Sequence, residues 1–430
     1  MTRTAEATLL LGAAAMAAMG VALVNFAPPG TGLDAQVGLT LLVFALAFGA
    51  VHLAIRLWAP NANPYLFPLA GILTAIGFSM IYRLDRELAS LQRWWLLVAA
   101  GTAVLALFVF RHTGLVVLRR YRYSFLLVAL LLLLLPLLPE SWLLGGFEAN
   151  GSRLWVRLRL GGFELQFQPG EVAKLLLVAF LASYLADRQP ALTQMTRRVG
   201  VLHLPEPRQL LPVILAWVAS FAVLVYQRDL GASLLLFAIF ITMLYIATGR
   251  LAYLFAGLLL FLGGAYAAYQ IFSHVQRRVS IWLRPFEDFE GAGYQIAQSL
   301  FALGTGSLTG SGLGLGRPDL IPNAATDFVF AAVAEELGLA GSIGVVTAYV
   351  LLAAACFGIA LRARDLFRKM LAGGLAFVLA FQTLLIISGV IRLLPLTGIT
   401  LPFMSYGGSS LLANFVLLAL LARASHEERS

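Results

Sequence analysis

The chain alternates long apolar runs with short polar stretches. Membrane-spanning helices are predicted near residues 8–26, 37–58, 64–82, 94–110, 123–138, 171–186, 210–226, 230–248, 251–272, 328–361, 370–391 and 403–423. Most runs are near the roughly 20 apolar residues a helix needs to cross a bilayer. The run at 328–361 is longer than a bilayer requires, so it is expected to tilt, to bend at Gly338 or Gly341, or to protrude. The pattern predicts an all-α, polytopic membrane protein of about 12 transmembrane helices, with a large loop between helices 9 and 10 and no soluble domain between spans.

Composition agrees with this reading. Hydrophobic residues make up 60% of the chain and charged residues only 12%. The net charge of +9 could suggest nucleic acid, but the basic residues sit in short loops between spans, with no contiguous face to track phosphates. No nucleic-acid partner is expected. The one cysteine, Cys356, lies within an apolar run, and the five histidines show no ligand spacing, so neither a disulfide framework nor a thiolate or histidine metal site is implied.

Twelve crossings put both termini on one side. That side collects Arg111, Arg119, Arg120, Arg122, Arg188, Arg250, Arg362, Arg364, Arg368 and Lys369, which marks it as cytoplasmic. The opposite, outer side receives the long loops at 139–170 and 273–327, the turn Gln227–Asp229 and the segment 392–402. The first span, preceded by Arg3, also has the make-up of a signal peptide, but its removal would upset the charge distribution.

Costly polar groups gather at outward positions. Asp327, Glu335 and Glu336 stand at or inside an apolar span, where each ionised carboxylate costs roughly 2.5–3.5 kcal/mol on insertion scales. Glu171 and Lys174, three apart after Pro169, share one helix face as an ion pair or as a contact for an anionic headgroup. Asp229 suits a helix cap or a polar cavity. The small-residue segment Leu401–Ser410, with Ser405 and Tyr406, implies irregular backbone or tight packing. Arg153 and Trp155 offer a cation and an interfacial aromatic, and the loop at 273–327 holds Arg278, Gln298 and Asp319. Its glycines match neither the dinucleotide fingerprint nor a Walker motif. Arginines and a lysine suit phosphate, while a carboxylate suits a general base. An enzyme or a transporter acting on an anionic membrane-resident substrate fits these groups equally. Asp327 itself could be a carboxylate that faces a helix dipole.

The order of the motifs resembles the SEDS family (shape, elongation, division and sporulation), which includes RodA-, FtsW- and SpoVE-like proteins. The matching pieces are NGSRLW at 150–155, FQPGEVAK at 167–174, QRDLG at 227–231, RRVSIW at 277–282, GAGYQIAQS at 291–299, TDFVFAAVAEELG at 326–338 and LPFMSYGGSS at 401–410. The resemblance covers residues 64–424 and implies a ten-helix core. Residues 1–63 then form two additional helices, as packing or as a partner contact, and 425–430 a cytoplasmic tail.

The resemblance implies a peptidoglycan glycosyltransferase of the bacterial cytoplasmic membrane that polymerises lipid II at the outer face. The family's essential acid falls on Asp327, expected to be the general base. Lys174 and Arg278 become candidates for the pyrophosphate, with Glu171 orienting Lys174, and Asp319 matches a further acidic position. Arg153, Gln298, Ser405 and Tyr406 are expected at the substrate, whereas Asp229, Glu335 and Glu336 are expected to be structural or secondary. Glu335 and Glu336 lie roughly 12–14 Å from Asp327 along a straight helix. A divalent cation, Mg or Mn, is compatible with pyrophosphate departure, with its ligands unknown; no organic cofactor is implied. The implied partners are a class B penicillin-binding protein with transpeptidase activity and other elongation or division machinery. A lipid II flippase or another lipid-linked glycan transferase is the alternative function. Gly170 and Arg228 depart from the family pattern without removing a proposed catalytic group, whereas Thr397 stands where some division-type members have lysine, so a role for a cation there does not carry over.

Overall fold

The computed structural model describes residues 3–27, 34–149, 152–160, 163–193, 197–199, 202–204 and 207–429. Asn150 and Gly151 of the first motif lie outside the described residues. In chain order the helices are α1 (Arg3–Phe26), α2 (Ala35–Trp58), α3 (Leu66–Leu84), α4 (Arg86–Thr113), α5 (Val116–Arg120), α6 (Arg122–Leu134), α7 (Pro169–Thr193), α8 (Pro207–Tyr226), α9 (Leu230–Thr248), α10 (Leu251–Ile271), α11 (Ser273–Leu283), α12 (Tyr294–Gly306), α13 (Val329–Arg362), α14 (Leu366–Val390) and α15 (Gly408–Arg429).

Among the described residues, ten helices have the length and apolar character to cross a membrane. Each coincides with an expected span. The other two expected spans, near 123–138 and 210–226, fall on shorter apolar helices, Arg122–Leu137 and Leu211–Tyr226. The chain is an all-α polytopic membrane protein with ten full-length candidate spans among the described residues, and a shorter apolar helix stands at each of the other two expected positions.

The outer loop expected at 139–170 contains a three-stranded antiparallel sheet, β1 (Leu144–Ala149), β2 (Ser152–Leu160) and β3 (Phe163–Phe167), in that order. Its signal was present in the sequence: Arg153, Trp155, Arg157 and Arg159 alternate with Leu154, Val156 and Leu158, the period of a strand. Arg157 stacks over Phe147 at 4.4 Å. A two-stranded antiparallel ribbon joins β4 (Arg197–Val199) and β5 (Leu202–Leu204).

The chain forms two compact units. One comprises Met1–Phe108, Leu262–Ala355 and Leu379–Ala422; the other comprises Val109–Phe261, Cys356–Val378 and Arg423–Ser430. In the first, α1 and α2 pack on α3. The buried face of α1 carries a run of small residues, Ala13, Ala14, Ala17, Ala18 and Gly20, which let backbones approach closely. A Cβ on Gly20 would stand 2.0 Å from Ser79 Oγ. Phe44 of α2 meets Phe78 of α3 edge-on at 5.2 Å. The pair at 1–63 is therefore an integral packing part of this unit.

Of the outcomes open to the long span, the structure shows a break at Gly338, whose φ of 66° and ψ of −166° belong to a region that is essentially glycine-only. A short helix at 329–337 and a longer one at 339–362 result. Carbonyls freed by the break are satisfied from the preceding loop: Ser311 N donates to Glu335 O and Gly312 N to Glu336 O, both at 3.0 Å. Irregular backbone at membrane depth requires such protein partners.

In the second unit, Ala129, Leu133, Ala173, Leu177, Leu224 and Leu236 form a buried cluster joining α6, α7, α8 and α9. Residues 425–429, expected as a tail, continue α15, and Glu427 Oε1 accepts from Arg423 Nε at 2.8 Å.

Candidate active site

Asp327 is half-buried, two residues before α13, at the end of a tight turn. Asn323, at φ 55°, accepts on its carbonyl from Thr326 N and Phe328 N at 3.1 and 3.4 Å. The segment 401–406 clamps that turn from outside. Ser405 Oγ donates to Thr326 O and accepts from Leu401 N at 2.9 Å, and Tyr406 N donates to Ala325 O at 2.8 Å. Behind it, a Cβ at Gly77 of α3 would stand 2.3 Å from Met404 O, so only glycine admits this approach. The small-residue segment is thus irregular backbone held by protein, and the helix expected from 403 begins at Gly408.

Arg278 comes from α11, which is bound to the segment after α14. Arg278 Nη1 donates to Leu396 O at 2.8 Å, Trp282 Nε1 to Arg392 O at 3.1 Å, and Arg392 Nε returns a bond to Trp282 O at 2.8 Å. A methyl at Gly398 would lie 3.9 Å from both the Arg278 guanidinium nitrogens and Asp327 Oδ2. Burial pushes the Asp327 carboxyl up to about 6, while the Arg278 charge and a Thr326 hydrogen bond act in the opposite direction. A carboxylate with such an environment can take a proton near neutral pH.

Glu335 and Glu336 organise the glycine-rich loop. Glu335 Oε1 accepts from Arg317 N at 2.7 Å; Glu336 Oε2 accepts from Gly314 N at 2.9 Å and Oε1 from Arg83 Nε at 3.2 Å. Asp319 is exposed and pairs with Arg317 at 3.4 Å. Gln298 is half-buried on α12. Tyr406 is half-buried, its phenol pushed up by burial and then by the Asp85 charge. Ser405, expected at the substrate, has its hydroxyl committed to two backbone groups.

The remaining predicted residues belong to the other unit. Lys174 Nζ and Glu171 Oε2 form a buried pair at 2.7 Å. Arg153 Nη2 donates to the carbonyls of Leu138 and Gly146 at 2.9 and 3.3 Å, which ties β2 to β1 and to the chain before it. Asp229 caps α9, accepting from Ala232 N at 2.8 Å.

Residues 64–430 match the profile of the FtsW, RodA and SpoVE family, described as cell cycle proteins. The peptidoglycan glycosyltransferase RodA of Mycobacterium tuberculosis is 44% identical over 399 residues, covering 90% of this chain and 83% of that protein. Stage V sporulation protein E of Bacillus subtilis is 34% identical over 340 residues, covering 77% and 86%. Among solved structures, a chain of a peptidoglycan synthase complex that coordinates polymerization and crosslinking aligns at TM-score 0.68 and 28% identity, covering 85% of this chain and 98% of that one. The rod shape determining protein RodA of Thermus thermophilus aligns at TM-score 0.57 and 27% identity, covering 86% and 98%.

This chain belongs to the SEDS family. It is a peptidoglycan glycosyltransferase that polymerises glycan strands. The similarity to mycobacterial RodA covers more of the chain than residues 64–430, so it extends into the N-terminal pair. Among the described residues, no group of three or more His, Cys, Asp or Glu side chains could hold a metal ion. Sequence reading missed Arg83, Gly398 and Arg392 as site-building residues. Arg83 carried a detectable signal, a charge at the very end of the span at 64–82.

Proposed function

We propose that Asp327 is the general base for strand extension from lipid II at the outer face of the bacterial cytoplasmic membrane. The acceptor sugar 4-hydroxyl loses its proton to the Asp327 carboxylate as its oxygen bonds to the donor anomeric carbon. The bond from that carbon to the lipid pyrophosphate breaks, and the pyrophosphate leaves with the electron pair. Attack opposite the leaving group inverts an α-linked donor into a β-linked product. Arg278 serves the pyrophosphate and keeps Asp327 partly ionised. In the other unit, Lys174, oriented by Glu171, is a candidate cation for an anionic headgroup.

The observation that carries this reading is the half-buried Asp327 carboxyl, raised to about 6, facing the same point as the Arg278 guanidinium. The test is polymerisation of lipid II by purified protein in detergent, where no sidedness exists for transport. Asp327→Ala is expected to lower the rate by about 10²–10⁴-fold, the usual contribution of a general base. Unchanged polymerisation would remove Asp327 from this role.

The partner we propose is a class B penicillin-binding protein, whose transpeptidase would crosslink the new strand. The exposed faces of α13 and α14, which include Val350 and Leu384 at 60% and 56% exposure, are the candidate surface. The similarity to a chain of a peptidoglycan synthase complex supports this reading. Bulky polar replacements at both positions are expected to abolish co-purification; an intact complex would exclude that surface.

A further inference from the structure

The end of α1 reaches the loop that carries the partners of Glu336. A Cβ on Gly314, at φ +83°, would stand 2.7 Å from Ala27 Cβ and 3.5 Å from Val24 Cα, so the helix end packs against the loop with no room for a side chain between them. Gly314 N is also the donor to Glu336 Oε2, and Arg83 of α3 reaches both Glu336 Oε1 and the Gly316 carbonyl, the latter at 3.1 Å. Asn25 fastens this end of α1 to α3, accepting on Oδ1 from the Tyr82 hydroxyl at 3.1 Å and from Arg86 Nη2 at 3.4 Å. Glu336 lies at the far end of the short helix 329–337, and Asp327 stands two residues before its near end.

We propose that the N-terminal α1–α2 hairpin is a positioning element for Asp327, acting through Asn25, Ala27 and the loop at Gly314 on the Glu336 end of the short helix. The inference rests on the reading of Asp327 as the base. A short helix moves as a rigid rod, so a shift at its Glu336 end displaces the carboxyl at the other. Close packing against a glycine leaves no flexible side chain to absorb the shift.

The experiment measures kcat and KM of the full chain with lipid II for Ala27→Leu, Asn25→Ala and Asn25→Asp. Misplacing a catalytic group by about 1 Å costs up to about 100-fold, so Ala27→Leu and Asn25→Ala are expected to lower kcat by about tenfold or more. KM changes by less than about twofold, because substrate binding is untouched. Asn25→Asp keeps acceptor oxygens for Tyr82 and Arg86 and retains kcat. Phe48→Leu, which loosens the hairpin core away from the loop, lowers the melting temperature and leaves kcat of the folded protein unchanged.

The proposal is overturned if Ala27→Leu and Asn25→Ala keep wild-type kcat, or if Phe48→Leu lowers kcat as much as they do. Asp327→Ala, run in parallel, separates the two readings. Activity in that variant refutes the base itself, whereas an inactive Asp327→Ala beside fully active hairpin variants refutes only the positioning role.

Discussion

The Ser405 hydroxyl donates to the carbonyl of Thr326, the residue immediately before Asp327, while it accepts from Leu401 N at 2.9 Å. One side chain therefore joins the segment after α14 to the turn that carries the proposed base. Ser405→Ala leaves a backbone N–H and a carbonyl without this partner, at about 1–3 kcal/mol, and frees the turn. The expected kinetic result is a reduced kcat with little change in KM, largely recovered by Ser405→Thr, which keeps a hydroxyl.

The rate of polymerisation should fall as pH drops through about 6, where Asp327 takes up its proton. The stability effect has the opposite direction. Between the ordinary aspartate value, about 3.9, and about 6, the folded state holds a proton that the unfolded state has lost, so stability declines as pH rises across that window. Asp327→Asn removes this cost. In denaturation assays the variant should be more stable by about 1–3 kcal/mol at pH 8 and equal to wild type below about pH 4.

Arg278 counters the burial of Asp327, so its removal should make the base harder to ionise. In pH–rate profiles, Arg278→Ala is expected to move the acid limb to higher pH and to raise KM for lipid II. Arg278→Lys retains the charge and should keep the limb near its wild-type position. An unmoved limb in Arg278→Ala would disconnect the two groups.

Gly338→Ala should destabilise the protein by about 3 kcal/mol or more, through backbone strain and overlap together. The added Cβ would stand 2.2 Å from Gly310 N, and neither backbone can withdraw without breaking the loop contacts of Glu335 and Glu336. Thermal unfolding in detergent reads this directly.

Lys174→Met strands the buried Glu171 carboxylate, at about 3–5 kcal/mol. The double variant Glu171→Gln/Lys174→Met should recover most of that stability. If the pair also serves the substrate, the recovered protein stays slow in polymerisation, which separates its two roles.

Much of the architecture was legible before any coordinates. Apolar length alone located the ten full-length helices, because a helix that must cross hydrocarbon needs a nearly uninterrupted run. The run at 328–361 was readable as too long, with Gly338 and Gly341 as candidate bends, and Asp229 as a cap or a cavity residue because it opened an apolar run. Asp327 stood out through the cost of its position and through its motif. The β1–β3 sheet was not expected: only β2 carries a clear alternation, at Arg153–Arg159, and its two neighbours are short strands defined by pairing rather than by a local period.

The sequence by itself determined the position of the long apolar helices, that the span at 328–361 exceeds a bilayer, and which carboxylate is worth testing, since each is a property of neighbouring residues. Only the tertiary structure decided what surrounds that carboxylate. Ser405 with Thr326, Arg278 with Asp327 at Gly398, and Arg83 with Glu336 bring together positions far apart in the chain. Their selection depends on backbone approach and on satisfying each buried polar group within protein, and neither leaves a local pattern in the sequence.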